Sequence, residues 1–146
     1  MATKHKRVIG TTPEAIAKAE AELGHSFPPS FRVWLLEKNG LSVEAVHIFP
    51  VLDERDVRKT WDSIVRQYAN GQWFPEYFEE DGLSAKDLLP FASFGSGDCY
   101  CFDYSRQRED GEIPVVWWSH ETAEIEDRAE TFAEFVEKVK IGVFED

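Results

Sequence analysis

The spacing of apolar positions predicts two helices in the first forty residues. Thr11 and Thr12 are both suitable caps for a helix whose apolar residues recur every three or four positions, and Gly24 is a typical helix stop. A second helix is expected between Phe27-Pro28-Pro29, which breaks the chain, and Asn39-Gly40, because Asn and Gly tolerate a positive φ. Its apolar arc is broad enough to predict a largely buried helix. That arc consists of Phe31, Val33, Trp34, Leu35 and Leu36.

A third helix is predicted after Asp53, which can cap it. Its apolar residues fall at helical spacing and form the clearest amphipathic stripe in the chain, and Asn70-Gly71 would end it. The stripe consists of Val57, Trp61, Ile64, Val65 and Tyr68. Residues 72–90 then interleave aromatic and acidic side chains, a pattern compatible with a short helix or with an ordered loop.

Short β-branched and aromatic runs predict strands in much of the remaining chain. Turn residues separate the later runs at short intervals, which favours antiparallel pairing. Thr131 and Glu134 form a capping-box pattern that begins a final helix. We therefore expect an α+β fold in which helices pack against a mainly antiparallel sheet. The predicted strands are residues 43–52, 88–94, 99–103 and 113–118.

The composition is typical of one globular domain. The chain has 146 residues, of which 42% are hydrophobic and 14% aromatic, enough to form a core without disulfide staples. Residues 1–10 are expected to be a short tail and residues 11–146 a single domain. No apolar run approaches the roughly 20 residues that span a bilayer, and no apolar block follows the basic N-terminus. A cytoplasmic protein is therefore expected.

A strong excess of acidic side chains restricts the partners. Asp and Glu number 28 against 16 Lys and Arg, which gives a formal net charge of -12. Such a field repels phosphate backbones and acidic membrane surfaces, so direct binding to nucleic acid or membrane is not expected. It would attract a basic protein partner and accelerate the encounter. The alternative is that the charge serves only solubility.

The two cysteines do not form a recognisable metal site. Cys99 and Cys101 alternate on a predicted strand, so their side chains point to the same face. A structural zinc site needs four ligands, and the scattered histidines supply no second pair at a suitable spacing. Buried thiols that act as small apolar residues account better for them. No metal and no cofactor are predicted.

A catalytic arrangement is conceivable but lacks a motif. Asp98, Asp103 and His120 could converge if their strands pair, beside a serine nucleophile at position 93, 96 or 119. No nucleophile elbow, metalloprotease motif or local catalytic-cysteine signature is present. Gly95-Ser96-Gly97 could cradle a phosphate, but it lacks the Lys of a phosphate loop and fits a tight turn better. We therefore expect no catalytic residues and no enzyme activity.

Two acidic segments, residues 72–81 and residues 121–127, are the candidate partner-binding regions. Aromatic residues mixed with charges are common at interaction surfaces, where the rings act as anchors. The alternative for both segments is a packed connection or a solvated face. The candidate partner-binding residues are Trp73, Glu76, Tyr77, Glu79, Glu80, Glu121 and Glu124.

Several short motifs occur along the chain in a characteristic order. They are Glu20, Leu23-Gly24, Phe27-Pro28, Phe31, Leu35-Leu36, Asn39-Gly40, Phe91-Ala92, Gly95 to Asp98, Tyr100 to Asp103, Pro114 to Trp118 with His120, and Thr131 to Phe135. In this order they resemble the SMI1/KNR4 domain, also called the SUKH superfamily, over about residues 13–140. Phe27 and Phe31 depart from the family's usual aliphatic residue and Tyr, but both keep apolar character.

The resemblance implies a function that the residues alone do not name. SUKH proteins have an α+β fold with helices beside a sheet, and no catalytic residues or cofactor are shared among them. Many bacterial members are immunity proteins that neutralise polymorphic toxins, often nucleases or deaminases, by binding them, and eukaryotic relatives include a fungal regulator of cell-wall synthesis. The resemblance therefore implies a bacterial immunity protein whose partner is a basic toxin domain. The alternatives are a regulatory adaptor for a cellular protein and, third, a small-molecule enzyme.

Overall fold

The computed structural model describes residues 9–70, 87–94, 98–119 and 125–142. These residues form an α+β fold, which confirms the predicted class. The helices are α1 (Pro13–Leu23), α2 (Pro29–Lys38), α3 (Val57–Thr60), α4 (Ile64–Asn70) and α5 (Phe132–Lys140). The strands are β1 (Val46–Ile48), β2 (Leu88–Phe94), β3 (Asp98–Asp103), β4 (Val115–Trp118) and β5 (Ile125–Ala129). No helix in the described ranges is both long and apolar enough to cross a bilayer.

The five strands form an antiparallel meander in the order β1-β2-β3-β4-β5. The last strand was not predicted, because Glu126, Asp127 and Arg128 give it a charged sequence. A strand at the edge of a sheet tolerates such residues, since they project into water and discourage pairing with another chain. The second acidic segment of the sequence extends to Glu126 and Asp127, and that end of it is an ordered edge strand.

Aromatic side chains from the helices and the sheet form the core. The ring of Phe31 on α2 lies 5.1 Å from that of Phe27, 5.2 Å from Phe102 and 5.0 Å from Phe132, measured between centroids. Phe91, the extra residue at a bulge in β2, stacks on Phe102 at 4.1 Å. Edge-to-face and offset-stacked rings stabilise each other beyond the area that they bury. The core therefore fastens α2 and α5 to the middle strands.

The opposite face of the sheet is also apolar. Leu88, Cys101, Val116 and Trp118 form a second buried cluster, and Cys99 packs against it. Both cysteines therefore point to one face, as their alternation predicted. Cys99 and Cys101 are not joined in a disulfide.

The predicted strand over residues 43–52 is shorter than expected. Only β1 pairs as a strand. The Phe49 amide directly after it still donates to the Phe91 carbonyl at 2.9 Å, but the residues farther out on either side bond elsewhere. Val43 and Val46 exchange two backbone hydrogen bonds of 2.9 and 2.8 Å in a local turn. On the other side of β1, the buried side-chain amide of Asn39 bonds to the backbone of Val51. Its Oδ1 accepts a 2.8 Å hydrogen bond from the Val51 backbone N–H, and its Nδ2 donates one of 3.0 Å to the Val51 carbonyl. The chain is thus held, but not as strand.

The predicted continuous third helix is wrong, because α3 and α4 are separate. Thr60 Oγ1 accepts a hydrogen bond from the Asp53 amide at 2.9 Å, and this contact fixes α3 against the segment before it. Ile64 begins α4 and donates its amide, at 2.7 Å, to a carbonyl of the segment after β1. The predicted stripe is therefore divided: Ile64 is buried, whereas Val57 and Trp61 are exposed.

Candidate interaction surface

A carboxylate at the end of α1 sets the position of α2. Glu20 accepts a 2.6 Å hydrogen bond from the Phe27 amide and two from the Arg32 guanidinium, the shorter at 2.8 Å. Charge-assisted bonds of this kind are stronger than neutral ones. The turn between the helices is therefore held at both of its ends, and α2 emerges in a defined direction.

The residues before α1 lie against the C-terminal half of α2. The Thr11 amide donates to the Leu35 carbonyl at 3.0 Å. Gly10 has φ +79°, and a Cβ there would lie 2.1 Å from the Leu36 carbonyl oxygen, so only glycine fits. The residue that follows Ile9 therefore lies against the Leu36 backbone.

The outward face of α2 is an exposed apolar stripe. Pro29, Val33 and Leu36 stand at i, i+4 and i+7 and so share one side of the helix. Val33 is 54% exposed, Leu36 41% and the adjacent Ile9 58%. These four residues are called the α2 outer stripe. The prediction of a largely buried α2 is therefore wrong, because the sheet covers only the opposite side of the helix, which carries Phe31, Trp34 and Leu35.

Acidic side chains border the α2 outer stripe. Glu112 receives hydrogen bonds from the Ser30 amide at 3.0 Å and the Ser30 hydroxyl at 2.7 Å, which anchors a turn at the N-terminus of α2. Glu109 lies in that turn, and Glu37 follows Leu36 directly on the helix. Within the described part of the chain, neither Glu37 nor Glu109 has an ion-pair partner. Their charges are available to an external cation.

The acids of β5 are used differently. Arg106 bridges the buried Asp103 of β3 at 2.9 Å and Asp127 of β5 at 2.6 Å. These two carboxylates raise the pKa of Arg106. Glu126 pairs with Arg128 at 3.0 Å, and the Arg128 guanidinium lies 5.1 Å from the Trp117 ring. The open cleft beside these groups, about 470 Å³, is lined by side chains that already neutralise one another.

A second concave surface lies between α1 and α4. This groove of about 260 Å³ has an apolar wall that includes Leu52, Val65 and Trp61, and Trp61 is 55% exposed. The Arg66 guanidinium lies 4.8 Å from the Trp61 ring centre, and Lys18 also lines the groove. Glu22 lines the groove as well, so this surface carries charges of both signs.

Two of the conceivable catalytic groups, Asp98 and Asp103, are not brought together. Asp98 and Asp103 begin and end β3, about 17 Å apart at 3.3 Å per residue. The Asp103 carboxylate already accepts bonds from Ser105 and Arg106. Burial raises the pKa of Cys99 to about 11, and that of Cys101 well above its usual value. Both thiols are therefore protonated, and weakly nucleophilic, at neutral pH.

The remaining candidate residues from the sequence lie outside the part of the chain that the structure describes. All seven predicted partner-binding residues lie outside the described residues, as do His120 and the Gly95-Ser96-Gly97 turn. They are Trp73, Glu76, Tyr77, Glu79, Glu80, Glu121 and Glu124. Among the described residues, no three His, Cys, Asp or Glu side chains form a group able to hold a metal ion. Sequence reasoning missed the α2 outer stripe, although the breadth of the α2 apolar arc was its signal.

The amino-acid sequence matches a known family. A model of the SMI1 / KNR4 family (SUKH-1) matches residues 10–138. The chain belongs to the SMI1/KNR4 family. No curated protein matches the chain. The SUKH-1 motif residues have structural contacts: Glu20 holds the α1–α2 turn, Asn39 holds Val51, and Asp103 caps the turn after β3. In this structure these three side chains therefore help to hold the fold together.

Proposed function

We propose that this SUKH-1 protein is an immunity protein that neutralises a polymorphic toxin by stoichiometric binding. The observation that carries the proposal is the family match over residues 10–138, since the SUKH family includes immunity proteins. The toxin is a basic domain, and a nuclease or a deaminase fits that chemistry. The proposed place of action is the cytoplasm.

Binding, rather than catalysis, is the proposed activity. The buried carboxylates of Asp53 and Asp103 are saturated by hydrogen bonds from neighbouring side chains and backbone. The thiols of Cys99 and Cys101 have raised pKa values that oppose nucleophilic attack. By contrast, the exposed apolar and acidic side chains around α2 are of the kind that a protein partner can cover.

A co-expression assay tests the proposal. Toxin domains encoded by the genome that carries this chain are expressed singly in a test bacterium, with and without this protein. We expect this protein to restore growth against one of them and not against the others. A catalytically inactive form of that toxin should still bind it in a one-to-one complex.

Two results would contradict the proposal. If no toxin is suppressed although both proteins accumulate, the immunity function is wrong. If suppression requires only a small fraction of an equivalent of this protein, an enzymatic mechanism replaces stoichiometric binding. Toxin abundance, measured in the same cells, is the control for reduced expression.

A further inference from the structure

We infer that the α2 outer stripe, with Glu37 and Glu109 beside it, is the surface that docks the partner, and that the partner presents an apolar patch bordered by Lys or Arg. The inference rests on the proposed function only for the identity of that partner as a toxin. The surface itself is argued from contacts, exposure and charge.

The first argument is that α2 has apolar side chains on its outer side as well as on its inner side. Phe31, Trp34 and Leu35 already fasten the helix to the core, and Val33 and Leu36 are not part of that core cluster. A surface helix usually has polar residues on its outer side. Contiguous exposed apolar residues with a polar border are typical of protein interaction sites. The stripe extends toward Ile9, because the next residue, Gly10, lies against the Leu36 carbonyl.

Rigidity is the second step. The Glu20 bonds fix one end of α2, and Glu112 caps its N-terminus through Ser30. Asn39 fixes its C-terminal end through two bonds to Val51. A surface that is already ordered loses little conformational entropy on binding. The stripe is therefore prepared for a partner without rearrangement of its backbone.

Charge identifies the partner. Glu37 and Glu109 lack ion-pair partners among the described residues, and the whole chain carries a net charge of -12. A second copy of this chain would place like charges opposite one another, whereas a basic domain would complement them. The groove between α1 and α4 carries both signs of charge, because Lys18, Glu22 and Arg66 line it, so charge does not select a basic partner there.

The first measurement maps the contact with a photo-crosslinking amino acid at position 33. The matched control carries it at position 57, another exposed helical valine on a different helix (54% against 43% exposed). The probe is the toxin domain that this protein suppresses or, if none is suppressed, intact host cells. Cross-linked proteins are then identified by mass spectrometry. We expect a basic domain to cross-link at position 33 and not at position 57.

The second measurement compares affinities of purified variants. Val33→Glu and Leu36→Glu should each weaken binding at least about 30-fold, because a charge replaces an apolar contact at the interface. Val57→Glu should leave the affinity unchanged. Glu37→Lys should slow association and reduce its dependence on salt, since a bordering charge acts mainly on the encounter. Circular dichroism and the melting temperature show that each variant is folded.

The outcomes separate the docking surface from the immunity function. If the Val33→Glu and Leu36→Glu variants still suppress the toxin completely, the inferred docking surface is wrong. The proposed immunity function is then unaffected. A basic housekeeping protein that cross-links at position 33, and binds Val33→Glu weakly, supports the surface and contradicts the toxin. The third outcome is a homodimer that cross-links at position 33. If sedimentation experiments show that Val33→Glu dissociates this dimer, the inferred basic partner is wrong.

Discussion

Substitution of Asp53 should reveal how the segment that separates β1 from α4 is held. Its carboxylate is buried and accepts a 2.7 Å hydrogen bond from Thr11 Oγ1, a 2.9 Å bond from the Arg55 amide, and a 2.6 Å bond from Arg55 Nη2. These contacts join the residues before α1 to the short turn that precedes α3. Asp53→Asn keeps the shape of the side chain but removes its charge and one acceptor.

The expected loss of stability is about 2 kcal/mol. Hydrogen bonds to charged groups contribute about 1.5 to 3 kcal/mol each, but Arg55 is half exposed and can return to water, so the low end applies. A loss of that size lowers the melting temperature of a domain of this size by about 4 to 8 °C. Asp62→Asn is the matched control. Asp62 is exposed, and its ion pair with Arg66 is long, at 3.9 Å. This substitution should therefore change the free energy of unfolding by no more than about 0.5 kcal/mol.

The effect should depend on pH in one direction. Hydrogen bonds from the Arg55 guanidinium hold the pKa of Asp53 well below its usual value, against the opposing effect of burial. A carboxyl whose pKa is lower in the folded state stabilises the protein above its unfolded pKa, about 3.9, and loses that contribution as the pH falls toward the folded value. The stability difference between wild type and Asp53→Asn should thus be constant from about pH 7 to 5 and shrink below about pH 4.

Urea unfolding followed by tryptophan fluorescence measures these differences at several pH values. The reasoning is refuted if Asp53→Asn is as stable as Asp62→Asn at pH 7. It is equally refuted if the difference from wild type stays unchanged on acidification while the wild type remains folded.

Three further predictions concern the core, a glycine and the thiols. Phe91→Ala should lower the free energy of unfolding by about 3 to 5 kcal/mol in urea denaturation, because the ring stacks in the core; a loss below about 1 kcal/mol would contradict that packing. Gly10→Ala should lower the free energy of unfolding by about 1 to 3 kcal/mol more than Gly24→Ala does. Both glycines have a positive φ, but only at Gly10 would the added methyl group meet a backbone carbonyl. Equal melting temperatures of the two variants would contradict this. Cys99 should react with iodoacetamide on the order of 100-fold more slowly than free cysteine at pH 8, and Cys101 only after unfolding, as peptide mass spectrometry would show; rapid labelling of the native protein would contradict their raised pKa values.

Local signals in the sequence predicted the elements whose ends are set locally. Thr12 accepts a bond from the Ala15 amide at the start of α1, and Thr131 accepts one from the Glu134 amide at the start of α5. Gly24 ends α1 in the left-handed conformation. Such contacts span three or four residues, so composition and spacing suffice to find them.

The missed features depend on distant residues. The break between α3 and α4 follows from tertiary bonds of Thr60 and Ile64, and no local pattern records them. The edge strand β5 is stabilised by pairing with β4 and by Arg106, which binds Asp127 from 21 residues away. The outward exposure of Val33 and Leu36 was missed because the sequence shows that α2 is apolar all round, but not which side the sheet covers.

The most direct test of the central claim is a titration of the toxin's activity. A fixed amount of the purified toxin domain receives increasing amounts of this protein, and residual activity is measured after mixing. Stoichiometric neutralisation predicts a linear fall in activity that reaches zero near one equivalent, with the loss reversed when the complex is separated under denaturing conditions and the toxin is refolded. Full activity in the presence of about a tenfold excess of folded protein, for every toxin domain of the host, would contradict the account.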